Sequence, residues 1–168
     1  MNELPVIFCD MDGVLVDFFK GVLDLTGLNF KEYIPDHNMV DIGHNIISNT
    51  PQFWETLPPM KDYLKLWNFI KKFDPEILTA RPNWDDRNVC VGKWKWILKH
   101  TPVPKDNFHC VERQDKKLYA INSITGKPNL LIDDLEKNIQ EFTAAGGIGI
   151  QHISATVTIL KLKNLGFY

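Results

Sequence analysis

An α/β fold with a parallel sheet is the fold class this chain predicts, and two observations carry it. Five short, continuously apolar runs recur, at Val6–Cys9, Glu76–Leu78, Phe108–Val111, Leu130–Ile132 and Ile148–Ile150. Helical patterns fill most of the intervals between them. Unbroken apolar character, rather than alternation, is what strands buried on both faces of a parallel sheet require. Strands alternating with helices then argue for a doubly wound sheet within one domain.

The first run ends abruptly in Asp10-Met11-Asp12-Gly13-Val14-Leu15-Val16-Asp17. Its carboxylates therefore fall at the carboxyl end of a strand, where open α/β sheets place their ligands. Gly13 lets the chain turn sharply there. Two like charges this close repel and lose solvation, which is tolerable when a cation or a shared proton compensates. A hard, oxygen-seeking ion such as Mg²⁺ is the simplest compensator. Taken alone, such a pair also fits a helix cap, a solvated turn or the metal site of a sugar-nucleotide transferase.

Residues 18–59 break the rhythm. They show short helical pieces, no convincing strand, and a Pro-punctuated end at Leu57-Pro58-Pro59. The expectation is a small helical cap at 18–59 inserted into a core made of 1–17 and 60–168. Phe18, Phe19, Phe30, Tyr33, Phe53 and Trp54 make this stretch too aromatic for simple solvent exposure. They pack on the core or on a flat substrate.

Beyond the cap, Tyr63, Leu64, Trp67, Ile70 and Phe73 lie at helical spacing, and the second strand run leads into Thr79-Ala80-Arg81-Pro82. A hydroxyl followed by backbone amides, an arginine and a strand-stopping proline suits phosphate capture. Threonine is also an ordinary strand former, so this signal is weak alone. Val89, Lys93, Trp94, Ile97 and Leu98 mark the next helix. After the third strand run, Lys116 and Lys117 open a short helix, either a solvated pair or one inward cation that offsets the acids. The fourth run ends in Asp133-Asp134. One of these could cap the following helix. If that strand neighbours the first, four carboxylates share one crevice and call for cations or raised pKa values. Ile139, Phe142 and Ala145 mark a further helix, and Val157, Leu160 and Leu165 the last.

The 168 residues suffice for one packed core and are short for two full domains. Hydrophobic content of 44% and charged content of 24% are ordinary for a globular protein. A formal net charge of −2 gives no electrostatic footprint for duplex nucleic acid, and a small anionic substrate would need local cations. No apolar run approaches the roughly 20 residues needed to cross a bilayer, and no signal peptide is visible. The three cysteines, Cys9, Cys90 and Cys110, are odd in number and form no C-x-x-C pair. Cys9 and Cys110 fall in apolar runs, as small hydrophobes do, so a reducing, cytoplasmic setting is expected.

In this order, the D-M-D-G-V-L-V-D stretch, the threonine of I-L-T-A-R-P, a downstream lysine and L-I-D-D resemble the haloacid dehalogenase-like hydrolase superfamily. The resemblance implies a Rossmann-like sheet of strand order 3-2-1-4-5, and Mg²⁺-dependent phosphoryl transfer through an aspartyl-phosphate. Carried onto this sequence, Asp10 would be the nucleophile. Asp12 would protonate the leaving oxygen, then activate water, and meet the metal through its backbone carbonyl. Thr79 and a lysine would hold the phosphoryl oxygens, with Lys116 matching the context better than Lys117. Asp134 would ligate Mg²⁺ beside Asp10, with Asp133 assisting through water. Within the superfamily the chain looks most like the 5′(3′)-deoxyribonucleotidases. The features are the aromatic Phe18 after the first motif, the pair Phe53-Trp54 before L-P-P, and the Trp-rich helix after I-L-T-A. Phe18 and Trp54 would then face a nucleobase, and Ala80 and Arg81 the phosphate. Arg81-Pro82 departs from the pattern and could redirect specificity.

The expected function is therefore dephosphorylation of (deoxy)nucleoside monophosphates. Alternatives are another phosphoester, such as a sugar phosphate or a nucleic-acid end, or a phospho-accepting receiver-type regulator. A homodimer stays open.

Overall fold

The structure, a computed structural model, describes residues 4–30 and 37–168, and for 37–40 the backbone alone. Five parallel strands, β1 (Ile7–Cys9), β2 (Glu76–Arg81), β3 (Phe108–Glu112), β4 (Leu130–Asp133) and β5 (Ile148–Gln151), form one sheet of order β3-β2-β1-β4-β5. The predicted fold class and strand order are both observed. β1 is central, with Cys9 in register with Ile77 of β2 and Ile132 of β4. The polar ends of three neighbouring strands therefore meet at one edge of the sheet.

Both faces are covered. Ile7, Cys9, Ile77, Leu130 and Ile132 point into one core layer with α4 (Tyr63–Ile70), α5 (Val89–His100) and α7 (Ala155–Asn164). Phe8, Leu78 and Leu131 point the other way, against Phe142 and Ile139 of α6 (Glu136–Ala144). Apolar residues facing both sides explain why the strands read as continuous runs. The crossover from β3 to β4 begins with a 3-10 helix, Arg113–Tyr119, and Lys116 on it is buried.

Between β1 and α4 lie α1 (Phe18–Thr26), α2 (His37–Ser48) and α3 (Phe53–Thr56). Asp17 caps α1 by accepting from Lys20 N at 3.0 Å. α5 packs closely on α3 because residue 92 is glycine, where a Cβ would overlap the Trp54 side chain. Trp96 Nε1 donates to Leu57 O at 2.8 Å and fastens the Leu57-Pro58 segment to the same helix. No helix among the described residues is long and apolar enough to cross a membrane.

Four expectations need correction. β2 runs beyond Leu78 to Arg81, because Thr79, Ala80 and Arg81 pair with Cys110, Val111 and Glu112 of β3. Thr79 lies within the end of the strand and Pro82 follows its last residue, as the strand-stopping proline implied. The buried face of α5 is Val89, Gly92, Lys93, Trp96 and Ile97, and Leu98 is exposed. In α7, Ala155, Thr158 and Leu162 are buried, whereas Leu160 and Leu165 are exposed. Cys110 is no lone hydrophobe: it forms a disulfide with Cys90, and Cys9 is the buried free thiol. A helix start and a strand brought together in space leave no spacing signature, so the pair was invisible to cysteine spacing. Tyr33 lies outside the described residues.

Candidate active site

At the carboxyl edge of the sheet the acids from β1 and β4 converge. Asp10, Asp133 and Asp134 each bring an oxygen within 4.8 Å of the others. Asp10 and Asp133 are buried, and Asp134 faces the opening. The turn after Asp10 makes room for Asp134. Gly13 has φ +75°, and a Cβ there would overlap the Asp134 carboxylate.

Lys116 reaches into this cluster from the 3-10 helix, with Nζ 2.9 Å from Asp10 Oδ1 and 2.6 Å from Asp133 Oδ2. Asp133 is saturated: it also accepts from Asn138 Nδ2 at 3.0 and 2.9 Å and from Leu135 N at 2.9 Å. Neither acid caps the helix that follows: its N-cap is Leu135, without a side-chain cap bond, and Asp133 accepts from the Leu135 N–H ahead of it. Asn138 is held in turn by Arg113, whose Nη1 donates to Asn138 Oδ1 at 2.9 Å and whose guanidinium also grips Glu141. Asp133 thus orients its neighbours, and Asp134 keeps a carboxylate available to a ligand.

Asp12 is not in the three-acid cluster. Its carboxylate turns towards β2 and meets Lys93 of α5, with Nζ 2.6 Å from Oδ2. The same ammonium donates to Thr79 Oγ1 at 2.9 Å and Ala80 O at 2.7 Å, and is 5.2 Å from the Trp54 ring centroid. The structure therefore engages Ala80 through its carbonyl. Lys93 has a fully buried side chain and was read from sequence only as a member of the apolar face. A lysine at a position spaced for the core was the available signal. Lys117 is exposed, which separates the two lysines of the 3-10 helix.

Burial raises the Asp10 carboxyl to about 8, against the lowering pull of Lys116 and with further raising by Asp133 and Asp12. Burial, then Asp133, brings Asp134 to about 6. Burial pulls Lys116 down, but Asp10 and Asp133 outweigh it and hold the ammonium above the ordinary lysine range. Burial pushes the Cys9 thiol far up, leaving it inert.

These features fit a divalent cation. Asp12 Oδ1 is a buried oxygen without a hydrogen-bond partner, and Asp10 Oδ1 meets Lys116 Nζ at 2.9 Å and no other donor. Fully ionised, the four carboxylates exceed Lys93 and Lys116 by two negative charges, which one divalent ion would neutralise. An all-oxygen donor set suits Mg²⁺. Asp10 and Asp134 are the side chains that would hold it, with Asp133 behind them.

A cavity of about 460 Å³ opens over Asp10, Asp134, Lys116 and Asn138. Beside it a cavity of about 600 Å³ is lined by Asp12, Lys93, Phe18, Trp54, Trp84, Arg81 and Arg113 among others. Phe18, Asp12, Ala80, Arg113 and Leu135 belong to both. The outer cavity has an aromatic wall of nearly parallel rings. Phe18 stacks on Trp54 (5.7 Å, 16°), Trp54 inclines to Trp84 (6.4 Å, 32°), and Trp84 stacks on His44 (3.7 Å, 13°). Trp54 is only 2% exposed and donates from Nε1 to Asp86 Oδ2, so it backs the wall, and half-buried Phe18 and Trp84 line the cavity. Phe30 and Phe53 are core residues. Arg81 is exposed and bound to Glu112 at 2.6 Å, which puts it on the rim rather than at the acids.

No protein-family model matches the chain. A Vibrio phage KVP40 protein provisionally named a 5′(3′)-deoxyribonucleotidase is 26% identical over 100 residues, covering 59% of this chain and 52% of that protein. The chain thus matches about half the length of that relative. Solved structures agree over nearly the whole chain. A hydrolase from Streptococcus pneumoniae TIGR4 superposes with a TM-score of 0.58 at 16% identity, covering 96% of this chain and 100% of that one. A magnesium-bound Bacillus subtilis protein provisionally named a HAD-hydrolase, YfnB, gives 0.56 at 11% identity, covering 89% and 87%. L-2-haloacid dehalogenase from Xanthobacter autotrophicus gives 0.54 at 14% identity, covering 99% and 85%. With the strand order and the strand-end acids already described, these superpositions show that the chain has the fold of the haloacid dehalogenase-like hydrolase superfamily.

Proposed function

We propose that the protein is a Mg²⁺-dependent phosphomonoesterase that acts on (deoxy)nucleoside monophosphates through an aspartyl-phosphate on Asp10. One observation carries the reading. A buried Asp10, paired with Lys116 and set among acids, lines a cavity that adjoins a second one with an aromatic wall.

A carboxylate attacks a phosphate dianion only when their mutual repulsion is neutralised, and that neutralisation with positioning is most of what phosphoryl transfer needs. Bound Mg²⁺ would supply charge neutralisation at the phosphoryl oxygens. Lys116 fixes Asp10 for attack on phosphorus, and Lys93 with Thr79 holds the transferring group from the β2 side. As the phosphorus–oxygen bond of the substrate breaks, Asp12 gives the leaving oxygen its proton. It then takes one from the water that hydrolyses the aspartyl-phosphate. Residues 18–59 act as the helical cap, with Phe18 and Trp84 stacking on the base. Such stacking contributes roughly 1–3 kcal/mol per base, which favours a nucleotide over a sugar phosphate.

The test is phosphate release from a panel of deoxynucleotides, ribonucleotides, sugar phosphates and para-nitrophenyl phosphate, with Mg²⁺ or EDTA. Asp10→Asn should abolish turnover with folding intact. Phe18→Ala should raise KM for deoxynucleotides roughly tenfold while leaving para-nitrophenyl phosphate nearly unchanged. Equal effects on both substrates would remove the base-stacking assignment, and substantial turnover by Asp10→Asn would remove the nucleophile. Phosphorylation without sustained release would point to a receiver instead.

A further inference from the structure

We propose that the Cys90–Cys110 disulfide is a redox latch that positions Lys93. This inference rests on the phosphate-holding role proposed above for that lysine.

The bond closes a ring of contacts around the β2 side of the site. Cys110 on β3 is the register partner of Thr79 on β2. Cys90 lies in the first turn of α5, and Lys93 lies about one helical turn further on. From there Lys93 Nζ returns to Thr79 Oγ1 at 2.9 Å. The disulfide thus ties the start of the helix that carries the lysine to the strand beside the threonine. That turn is otherwise held by buried Val89 and by Gly92 packed on Trp54, while Asn88 makes no side-chain cap bond and no acidic residue occupies the first turn. Cys90 and Cys110 are both half-buried residues. The acids at Asp10, Asp133 and Asp134 stand on β1 and β4, on the other side of the crevice.

Opening the latch requires a dithiol reductant. Its thiolate attacks one sulfur, the Cys90–Cys110 bond breaks, and a mixed disulfide forms. The reductant's second thiol resolves that intermediate and leaves as a disulfide. Two electrons and two protons pass to Cys90 and Cys110. The first turn of α5 then loosens, and Lys93 loses its fixed position over Thr79. Displacement of a positioning group by a fraction of an ångström weakens phosphate capture by roughly 3- to 10-fold.

The experiment compares oxidised protein, protein reduced with a dithiol, and the Cys90→Ser/Cys110→Ser variant. The redox state is verified by intact mass after thiol alkylation. With para-nitrophenyl phosphate, reduction should lower kcat/KM roughly 3- to 10-fold, mainly through KM. The half-saturating Mg²⁺ concentration should stay unchanged, which general loosening of the fold would not allow. Hydrogen exchange should accelerate at 89–93, and the double serine variant should match the reduced protein and ignore reductant. Equal KM and equal exchange in both redox states would overturn the latch, as would a pair that stays reduced under oxidising conditions. If neither redox state hydrolyses any phosphomonoester, the phosphatase reading fails. The latch then stands on tighter binding of inorganic phosphate by the oxidised protein and falls if the two affinities are equal.

Discussion

Lys116→Met tests the electrostatic core of the site without relying on catalysis. Lys116 has 2% side-chain exposure and bridges Asp10 and Asp133, which are 7% and 0% exposed. Methionine fills similar volume but leaves two buried carboxylates without a cation. Removing one partner of a buried ion pair costs about 3–5 kcal/mol, because the remaining charge stays desolvated. For a chain of this length, each kcal/mol lowers Tm by about 2–4 °C. The expected fall is therefore about 6–20 °C near pH 8 without divalent ions.

The pH dependence gives this prediction its sign. The Asp10 carboxyl lies at about 8 in the fold, against about 3.9 in an unfolded chain. A group raised in this way contributes stability that is fully present below the unfolded value and lost as pH rises through the folded one. Removing the lysine takes away the influence that lowers Asp10, so the loss deepens at high pH. Near pH 5 Asp10 carries its proton in the folded protein, and the deficit of the variant should shrink to less than half. Thermal unfolding of wild type and variant at both pH values measures the difference directly, and effects common to both proteins cancel. Asp133→Asn in the Lys116→Met background should recover part of the loss, because it removes one uncompensated charge. A fall below about 3 °C near pH 8, or a deficit equal at both pH values, would refute the claim that Lys116 neutralises buried carboxylates.

Two further outcomes follow from the same geometry. Gly13→Ala forces a side chain into the left-handed region and onto the Asp134 carboxylate, so it should destabilise the fold by about 1–2 kcal/mol. It should also weaken Mg²⁺ binding measured by calorimetry, and unchanged affinity would separate Asp134 from the ion. His152 is buried, its Nδ1 is 2.8 Å from Thr158 Oγ1, and burial holds the ring below the ordinary histidine range. Its contribution is present above about pH 6.5 and lost as pH falls through the depressed value. Wild type should therefore lose stability on acidification relative to His152→Gln, and parallel curves would dismiss the histidine.

Strand positions were legible because each strand's residues face apolar layers on both sides, so Ile7-Phe8-Cys9 and Leu130-Leu131-Ile132 could read as nothing but continuous runs. The acids at their ends were legible because the apolar runs stop where Asp10 and Asp133-Asp134 begin. Helical faces were less secure. A period of 3.6 lets a stripe rotate by one residue with almost no change in apolar count. Leu98 was consequently placed in the stripe of α5 and Gly92 and Trp96 left out of it, whereas Trp94 does pack against the core. Glycine at 92 packs because it is small, and periodic hydrophobicity does not register that. Lys93 was hidden more deeply. A buried lysine is intelligible only with its partners, and those partners, Asp12 and Thr79, come from β1's end and β2. Side-chain clusters of this kind arise where strand register and helix packing intersect, so their spacing in the chain carries no pattern of its own. The same reasoning covers Cys90 and Cys110. What a sequence exposes is chemistry concentrated at strand ends, and what it conceals is chemistry assembled across the face of a helix. The two lysines divide along that line. Lys116 lies in the crossover leading into β4 beside the acid motif and was found. Lys93 lies on a helix that happens to cross the same crevice and had to be seen.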